Sequence, residues 1–305
     1  MLYQTYQLHD DLIAPLRALA RHTSFPSEWS PWAGVDKVRR QLSAGLEMLT
    51  RFELSHASPK FGIDTVRVGN RDVPVTTEVA LDLPFGQLLR FSKDIDTVQP
   101  KVLVVAPLSG HFATLLRGTV ETLLRDHEVY ITDWVNARDV PVEAGLFGVD
   151  DYIAYLIAFL EHIGPGAHVL AVCQPCVQAL AAVAVMSADD HPDTPRSMTL
   201  MAGPIDVEES PTAVNDLATS KPLSWFEKSV IASVPGRYAG GGRKVYPGFL
   251  QLTAFVAMNM DRHKAAHSKL YEHLAKGETA EAEKIKSFYD EYFAVLDLTA
   301  EFYIE

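Results

Sequence analysis

The spacing of apolar residues is helical at the start of the chain. Leucines recur every three or four positions from Leu8 to Leu19, and apolar residues repeat this spacing from Val38 to Leu49. That period places the apolar side chains on one face of a helix. Residues 1–60 are therefore predicted to form an N-terminal helical segment.

The pattern changes to that of extended chain between residues 65 and 93. Val66 and Val68 alternate with polar residues, the segment 69–72 (Gly-Asn-Arg-Asp) has the composition of a turn, and residues 73–83 continue extended. Short alternating runs on either side of a turn are typical of antiparallel strands. We expect these strands at one edge of a sheet.

Apolar runs and amphipathic segments alternate over the next hundred residues. The run Val102–Ala106 is wholly apolar, as expected of a strand buried on both faces. The predicted strands are 101–106, 128–133, 168–172 and 197–201, and the predicted helices are 114–125, 150–162 and 177–186. This alternation predicts a mostly parallel sheet with right-handed crossovers and flanking helices, so the predicted fold class is α/β.

The alternation ends after the segment 203–206. From there to the end of the chain the apolar spacing predicts helices with aromatic faces, interrupted by the glycines at 240–242. The sequence thus predicts three segments: a helical segment at 1–60, an α/β core at 61–206 and a helical segment at 207–305.

Composition and charge exclude several classes of protein. The formal net charge of −12 leaves no basic face for phosphate groups, so nucleic acid is not expected as a partner. The N-terminus lacks the basic and apolar regions of a signal peptide. The most apolar run, Val177–Met186, is shorter than the roughly 20 residues of a transmembrane helix. With two cysteines only, the protein is predicted to be cytoplasmic, without a transmembrane segment.

The most informative segment surrounds the first cysteine. A buried strand, 168–172, leads directly into Cys173, and an alanine-rich helix follows within three residues. This strand-turn-helix order is that of a nucleophile elbow, in which the side chain stands above the sheet at a helix N-terminus. A helix N-terminus favours the thiolate, which is the reactive form of cysteine. Cys173 is the predicted nucleophile, whereas Cys176 falls in the first helical turn and is expected to be a small buried apolar residue.

The segment Ala171–Pro175 (Ala-Val-Cys-Gln-Pro) resembles the Cys-x-Pro box of intracellular polyhydroxybutyrate (PHB) depolymerases. Other segments resemble the same family in the same order: 106–111, 130–134, 203–206, 210–215 and 245–250. The resemblance implies an α/β-hydrolase fold and a cysteine nucleophile in place of serine. It also implies hydrolysis of poly(3-hydroxybutyrate) at the surface of polyester granules, with no cofactor.

Two further expectations concern the substrate. In this fold an oxyanion hole takes one backbone N–H from the residue after the nucleophile, here Gln174, and a second from the loop after the third strand. Leu108 and Ser109 are the candidates in that loop. His111 and Trp134 lie in segments that carry the resemblance, and both are expected to contact the substrate.

The catalytic base is not evident in the sequence. An α/β hydrolase takes its acid and histidine from loops after the last strands, and none of the eleven histidines lies after such a strand. The family's catalytic Asp and His are therefore expected beyond Glu305. In this interpretation residues 207–305 are the helical cap and the last strands of the core are missing. The missing C-terminal part or a second copy of the chain would then be a partner, besides the granule surface.

Two alternatives remain open, and a metal site is set aside. The chain could be a catalytically incomplete protein that only binds granules or a partner. The Cys173-x-Pro-Cys176 spacing also matches thioredoxin-like redox proteins, although the tryptophan that usually precedes the motif is absent. His263 and His267 are four residues apart on a predicted helix, but position 264 is Lys where a zinc protease carries Glu. No metal is therefore expected.

Overall fold

The structure is a computed structural model that describes residues 2–23, 33–51 and 53–305. Residues 24–32 of the predicted N-terminal helical segment lie outside the described residues. The described chain forms two compact units. The first contains residues 1–57 and 249–295, and the second contains residues 58–248 and 296–305.

The first unit is helical. Its helices are α1 (Leu2–His22), α2 (Ala33–Arg51), α8 (Gly248–Met258), α9 (Met260–Lys276) and α10 (Thr279–Tyr292). Helix α1 packs against α2, α2 against α9, and α9 against α10. Pairing of aromatic rings contributes to this packing, since the Tyr6 ring stacks on Phe249 with ring centroids 4.1 Å apart.

The second unit is built on a sheet of seven strands. The strands are β1 (Thr65–Val68), β2 (Arg71–Leu83), β3 (Gly86–Lys93), β4 (Lys101–Val105), β5 (Glu128–Trp134), β6 (His168–Val172) and β7 (Ser197–Met201). Their order across the sheet is β1-β2-β3-β5-β4-β6-β7. Strands β5, β4, β6 and β7 are parallel, and β1, β2 and β3 are antiparallel to their neighbours.

Helices cover the parallel strands. They are α3 (Arg117–Leu123), α4 (Val149–Ile163) and α5 (Cys176–Ala188). Strand β4 is almost free of polar side chains because both of its faces are covered, and Leu103 and Val104 are fully buried on opposite faces. A parallel sheet with crossover helices, extended by antiparallel strands at one edge, confirms the predicted α/β-hydrolase fold class.

The C-terminal segment contains more than the predicted helices. After α6 (Ala213–Ser220) and α7 (Leu223–Ser229), a small sheet forms from β8 (Ala232–Ser233), β9 (Lys244–Tyr246) and β10 (Leu298–Thr299), and α11 (Ala300–Ile304) follows it. These strands are only two or three residues long, which is too short for an alternating pattern to be visible in the sequence.

The units also differ from the predicted boundaries at residues 60 and 206. Residues 249–295 group with the N-terminal helices, whereas residues 207–248 and 296–305 group with the α/β core. The predicted helical segment 207–305 is therefore shared between the two units. Hydrogen bonds explain part of this, since Leu296 N donates to Gly110 O at 3.0 Å and Ala137 N donates to Asp297 O at 3.1 Å.

Candidate active site

Cys173 lies at the turn between β6 and α5. Its φ angle is +67°, in the left-handed region that non-glycine residues seldom occupy. Such strain persists only where the surroundings hold the backbone, and it is frequent at active sites. Here Cys173 N donates to Met201 O at 2.7 Å, and Cys176 N donates to Cys173 O at 3.2 Å. The turn leaves the Cys173 side chain exposed.

Cys176 has a different environment. It is fully buried, and its Sγ atom donates to Ala171 O at 3.4 Å. Burial raises the pKa of the Cys176 thiol, which opposes the thiolate form. A thiol in this environment is a poor reactant and a suitable packing residue. Of the two cysteines, only Cys173 is accessible to a reagent in solution.

Close packing holds the cysteine turn against the end of β7. A Cβ atom placed on Gly203 would overlap the Cβ and Sγ atoms of Cys176 and approach Cys173 O to 3.0 Å. Glycine is therefore required at this position by the approach of two chain segments. The preceding residue, Ala202, has a positive φ of 54°, so the chain turns sharply as it leaves the strand.

The loop after β4 contacts the residue that follows Cys173. Leu108 N donates to Gln174 Oε1 at 3.3 Å, and Gln174 Nε2 donates to Gln178 Oε1 at 3.0 Å. Gln178 is buried in α5, so this chain of hydrogen bonds joins the loop to the helix behind the cysteine. The structure thus brings together Leu108 and Gln174, two of the residues expected to form the oxyanion hole.

The other two predicted site residues of this loop, Ser109 and His111, differ in exposure. Ser109 is partly exposed, whereas His111 is 9% exposed and packed within the loop. The loop backbone between them turns at Gly110, whose φ is +89° and whose carbonyl oxygen accepts from Leu296 N. The loop is therefore held by the segment that precedes β10, a contact that the sequence did not predict.

Trp134 is a core residue. It is 2% exposed, its Nε1 atom donates to Ala106 O at 2.9 Å, and its ring packs on Tyr152 with centroids 4.2 Å apart. A Cβ atom on Gly86 would come within 2.7 Å of the same ring. The expected contact of Trp134 with substrate does not fit this environment, because the side chain is buried and its indole N–H is already hydrogen-bonded. Its place in a segment that carries the family resemblance suggested a substrate contact, but the side chain packs in the core.

Asp133 is the carboxylate at the end of β5. Its Oδ1 atom is excluded from solvent and has no hydrogen-bond partner among the described residues. Burial raises the pKa of Asp133 to about 6. A carboxylate that is largely buried without a partner carries a desolvation penalty, and such residues are frequent at functional sites.

The thiol of Cys173 has no histidine partner in the described part of the chain. Of the histidines considered in the sequence, His263 bonds Tyr289 through Nδ1 at 2.9 Å, and His267 bonds His263 O at 2.9 Å. Both rings lie among aromatic residues of the helical unit. The acid and the base of the triad stay a prediction.

The hydrogen bonds of Arg243 to the loop after β5 were not evident from the sequence. Arg243 is 5% exposed and donates to three carbonyl oxygens: Nε to Val140 O at 3.2 Å, Nη1 to Gly145 O at 2.7 Å and Nη2 to Pro141 O at 2.6 Å. Gly240 lies against the same loop, where a Cβ atom would meet backbone oxygens at 2.7–2.8 Å. The glycine-rich segment at 240–242 is thus attached to the loop after β5.

Two other kinds of site are absent from the described residues. Within residues 2–23, 33–51 and 53–305, no group of three or more His, Cys, Asp or Glu side chains is placed to hold a metal ion. Nor does any helix in that part of the chain have the length and apolar character needed to span a membrane.

Three solved structures illustrate the similarity to known proteins. Naproxen esterase (carboxylesterase NP) from Bacillus subtilis is 15% identical, with a TM-score of 0.31 over 53% of this chain and 48% of that one. Carboxylesterase CesB from Bacillus subtilis is 10% identical, with a TM-score of 0.33 over 65% and 62%. A hyperthermophilic esterase from Pyrobaculum calidifontis is 12% identical, with a TM-score of 0.31 over 66% and 60%. The chain thus spans less than two thirds of the length of each.

The sequence comparisons concern the C-terminal third. No curated protein sequence matches the chain. The family described as "PHB de-polymerase C-terminus" matches residues 202–305, which include Gly203 and Arg243. This match begins where β7 ends and covers segments that carry the resemblance noted in the sequence. The chain is thus similar to the PHB depolymerase C-terminus over residues 202–305, and the strand order of its sheet is consistent with the α/β-hydrolase fold.

Proposed function

We propose that this chain carries the nucleophile of a carboxylic ester hydrolase that acts on poly(3-hydroxybutyrate). The observation that carries the proposal is the backbone of Cys173, which has a positive φ, an exposed side chain and a helix beginning three residues later. These features are those of a nucleophile elbow. The family match supports the choice of a polyester as substrate.

The proposed reaction has two covalent steps. The Cys173 thiolate attacks the ester carbonyl carbon, a C–S bond forms, and the carbonyl electron pair moves to oxygen. The tetrahedral intermediate then expels the alcohol end of the polymer, which takes up a proton, and leaves a thioester on Cys173. Water adds to this thioester and releases the carboxylic acid and the free thiol. A general base carries the protons in both steps.

The oxyanion of the intermediate would be held by backbone N–H groups. Gln174 N and Leu108 N are proposed as the donors, because Leu108 N already donates to an oxygen atom of the Gln174 side chain. This hydrogen bond supports the choice of Leu108 N, because its acceptor belongs to the residue that follows Cys173. Ser109, which is partly exposed in the same loop, is the alternative second donor. One such donor is worth roughly 3 kcal/mol of transition-state stabilisation.

The redox alternative has less support. Exchange between Cys173 and Cys176 would require the buried thiol to become accessible, and burial raises its pKa. Thiol–disulfide exchange proceeds through the thiolate, and the raised pKa of Cys176 opposes that form. Granule association and a cytoplasmic location remain part of the proposal, since they follow from the polyester substrate.

Hydrolysis of amorphous poly(3-hydroxybutyrate) tests the proposal. We expect acid release by the chain to be lost in Cys173→Ala and retained in Cys176→Ala, the matched control on the same turn. Acid release that persists in Cys173→Ala would contradict the assigned nucleophile. If the unaltered chain releases no acid and its Cys173 forms no acyl adduct with an activated ester, the non-catalytic alternative is supported instead.

A further inference from the structure

A cavity of about 510 Å³ lies beside the antiparallel edge of the sheet, on the face that carries Val129 and Ile131. This volume is within the range of about 300–1,000 Å³ that is usual for small-molecule sites. The residues that line it include Lys60, Phe61, Ile63, Thr77, Leu89 and Asp133. The proposed ester hydrolysis at Cys173 makes no use of any of them.

The segment 59–64 forms one wall of the cavity, and a hydrogen bond holds each of its ends. Arg117 Nη2 donates to Lys60 O at 2.6 Å, and Val75 N donates to Asp64 O at 2.9 Å. Between these two bonds the chain turns at Gly62, whose φ is +57°. The segment 59–64 is thus held across the strands.

The chemistry of the lining is that of a site for an amphipathic molecule. Phe61, Ile63 and Leu89 are each less than 9% exposed and provide an apolar wall. Asp133 contributes a solvent-excluded oxygen that has no hydrogen-bond partner among the described residues. Lys60 is exposed and lines the same cavity, so a cation stands at its rim.

We propose that this cavity binds a short hydroxy acid, the class of product that the proposed reaction releases, with the hydroxyl donating to Asp133 and the carboxylate near Lys60. A hydroxyl satisfies the orphaned oxygen at a smaller desolvation cost than an ammonium group, and it is not repelled by the lysine. The methyl and methylene groups of the ligand would contact the apolar wall. The assignment rests on the proposed function for the identity of the ligand and on the cavity for its place.

Binding is measured on the full chain carrying Cys173→Ala, so that the result does not depend on turnover. Isothermal titration with the linear dimer of 3-hydroxybutyrate is compared with the dimer whose terminal hydroxyl is replaced by hydrogen. We expect the hydroxyl to strengthen binding about tenfold, and we expect Asp133→Ala to abolish that difference. Lys60→Ala should weaken both ligands, and Asp94→Asn, at an exposed carboxylate outside the cavity, should change neither.

Thermal melting of each variant shows whether it folds. If Asp133→Ala does not fold, the Lys60→Ala variant and the two ligands in the parent chain still test the site. Equal binding of the two dimers, or binding unaffected by both variants, would overturn the assignment. Hydroxyl-dependent binding supports it even if Cys173 proves not to be a nucleophile. Conversely, hydrolysis that requires Cys173 without binding at Asp133 overturns the cavity assignment alone.

Discussion

Leu108 N donates its hydrogen bond to the side-chain oxygen of Gln174, the residue that follows the exposed Cys173. If Leu108 N is an oxyanion donor, a side-chain amide oxygen occupies the place that the substrate oxygen must take. Binding of substrate would then displace Gln174 Oε1, which remains linked to α5 through Gln178.

Replacement of Gln174 tests this relationship. Gln174→Ala keeps the backbone N–H and removes the competing oxygen, so kcat/KM for ester hydrolysis should be unchanged or higher. Gln174→Glu puts a negative charge beside the donors, and we expect kcat/KM to fall by at least tenfold because the carboxylate opposes the oxyanion. Gln41→Glu, at an exposed position of α2, provides the charge control. A similar loss in Gln174→Ala and Gln174→Glu would show that the side chain assists the reaction instead.

Asp133 should give the protein a measurable pH dependence of stability. Burial raises the pKa of Asp133 from 3.8 to about 6, so the folded chain binds this proton more tightly than the unfolded chain. Its contribution to the free energy of unfolding is therefore present below pH 4 and is lost as the pH rises to about 6. A shift of about two pKa units corresponds to about 3 kcal/mol.

Asp133→Asn removes this titration. We expect the variant to gain stability relative to the parent chain by about 3 kcal/mol between pH 4 and pH 7, measured by urea unfolding at each pH. Asp94→Asn, at an exposed site, controls for the change in net charge. A parallel pH dependence in Asp133→Asn and the parent chain would contradict the raised pKa.

Gly203 should tolerate no side chain. Gly203→Ala introduces a Cβ atom against Cys176 and Cys173 O, and overpacking of this kind costs about 1–3 kcal/mol. The displaced residues belong to the cysteine turn, so the rate at which iodoacetamide alkylates Cys173 should change as well. Gly118→Ala on α3 is the matched control, since nothing lies within 4 Å of its added Cβ atom. Equal stability of the two variants would show that the turn is less tightly packed.

Arg243 should be among the most sensitive positions outside the cysteine turn. Arg243→Ala leaves three backbone oxygens without their donor, and we expect a loss of about 3–5 kcal/mol in the free energy of unfolding. Arg243→Lys keeps the charge but lacks the planar fork, so its loss should be intermediate. A loss below 1 kcal/mol for Arg243→Ala would mean that water replaces the guanidinium.

The sequence predicted the parallel core because its signals are local. The apolar run of β4 and the strand, turn and helix around Cys173 each lie within about a dozen residues, and the structure reproduces them. Long-range features were not predictable in this way. The pairing of β9 with β10 joins residues 52 and 54 positions apart, and Arg243 contacts carbonyls 98 to 103 positions away. The sequence around β9 or around Arg243 does not indicate the distant residues that each contacts.

The candidate site likewise combines features that the local sequence predicts with features that it does not. A short motif predicted Cys173 as the nucleophile, and the loop after β4 offered Leu108 and Ser109 as candidate donors. Burial distinguishes the environments of the neighbouring residues. Trp134 is the last residue of β5, and its side chain lies in the core. Asp133, its neighbour, retains an oxygen without a partner. Side chains alternate between the two faces of a strand, so adjacent residues differ in environment, and the sequence does not show what covers each face.

The acyl-enzyme tests the central claim most directly. The chain is mixed with the p-nitrophenyl ester of 3-hydroxybutyrate, quenched in acid and digested, and the peptides are analysed by mass spectrometry. We predict one 3-hydroxybutyryl group on Cys173, none on Cys176, and no adduct in Cys173→Ala. Release of p-nitrophenol without a Cys173 adduct, at the same rate in Cys173→Ala, would contradict the account.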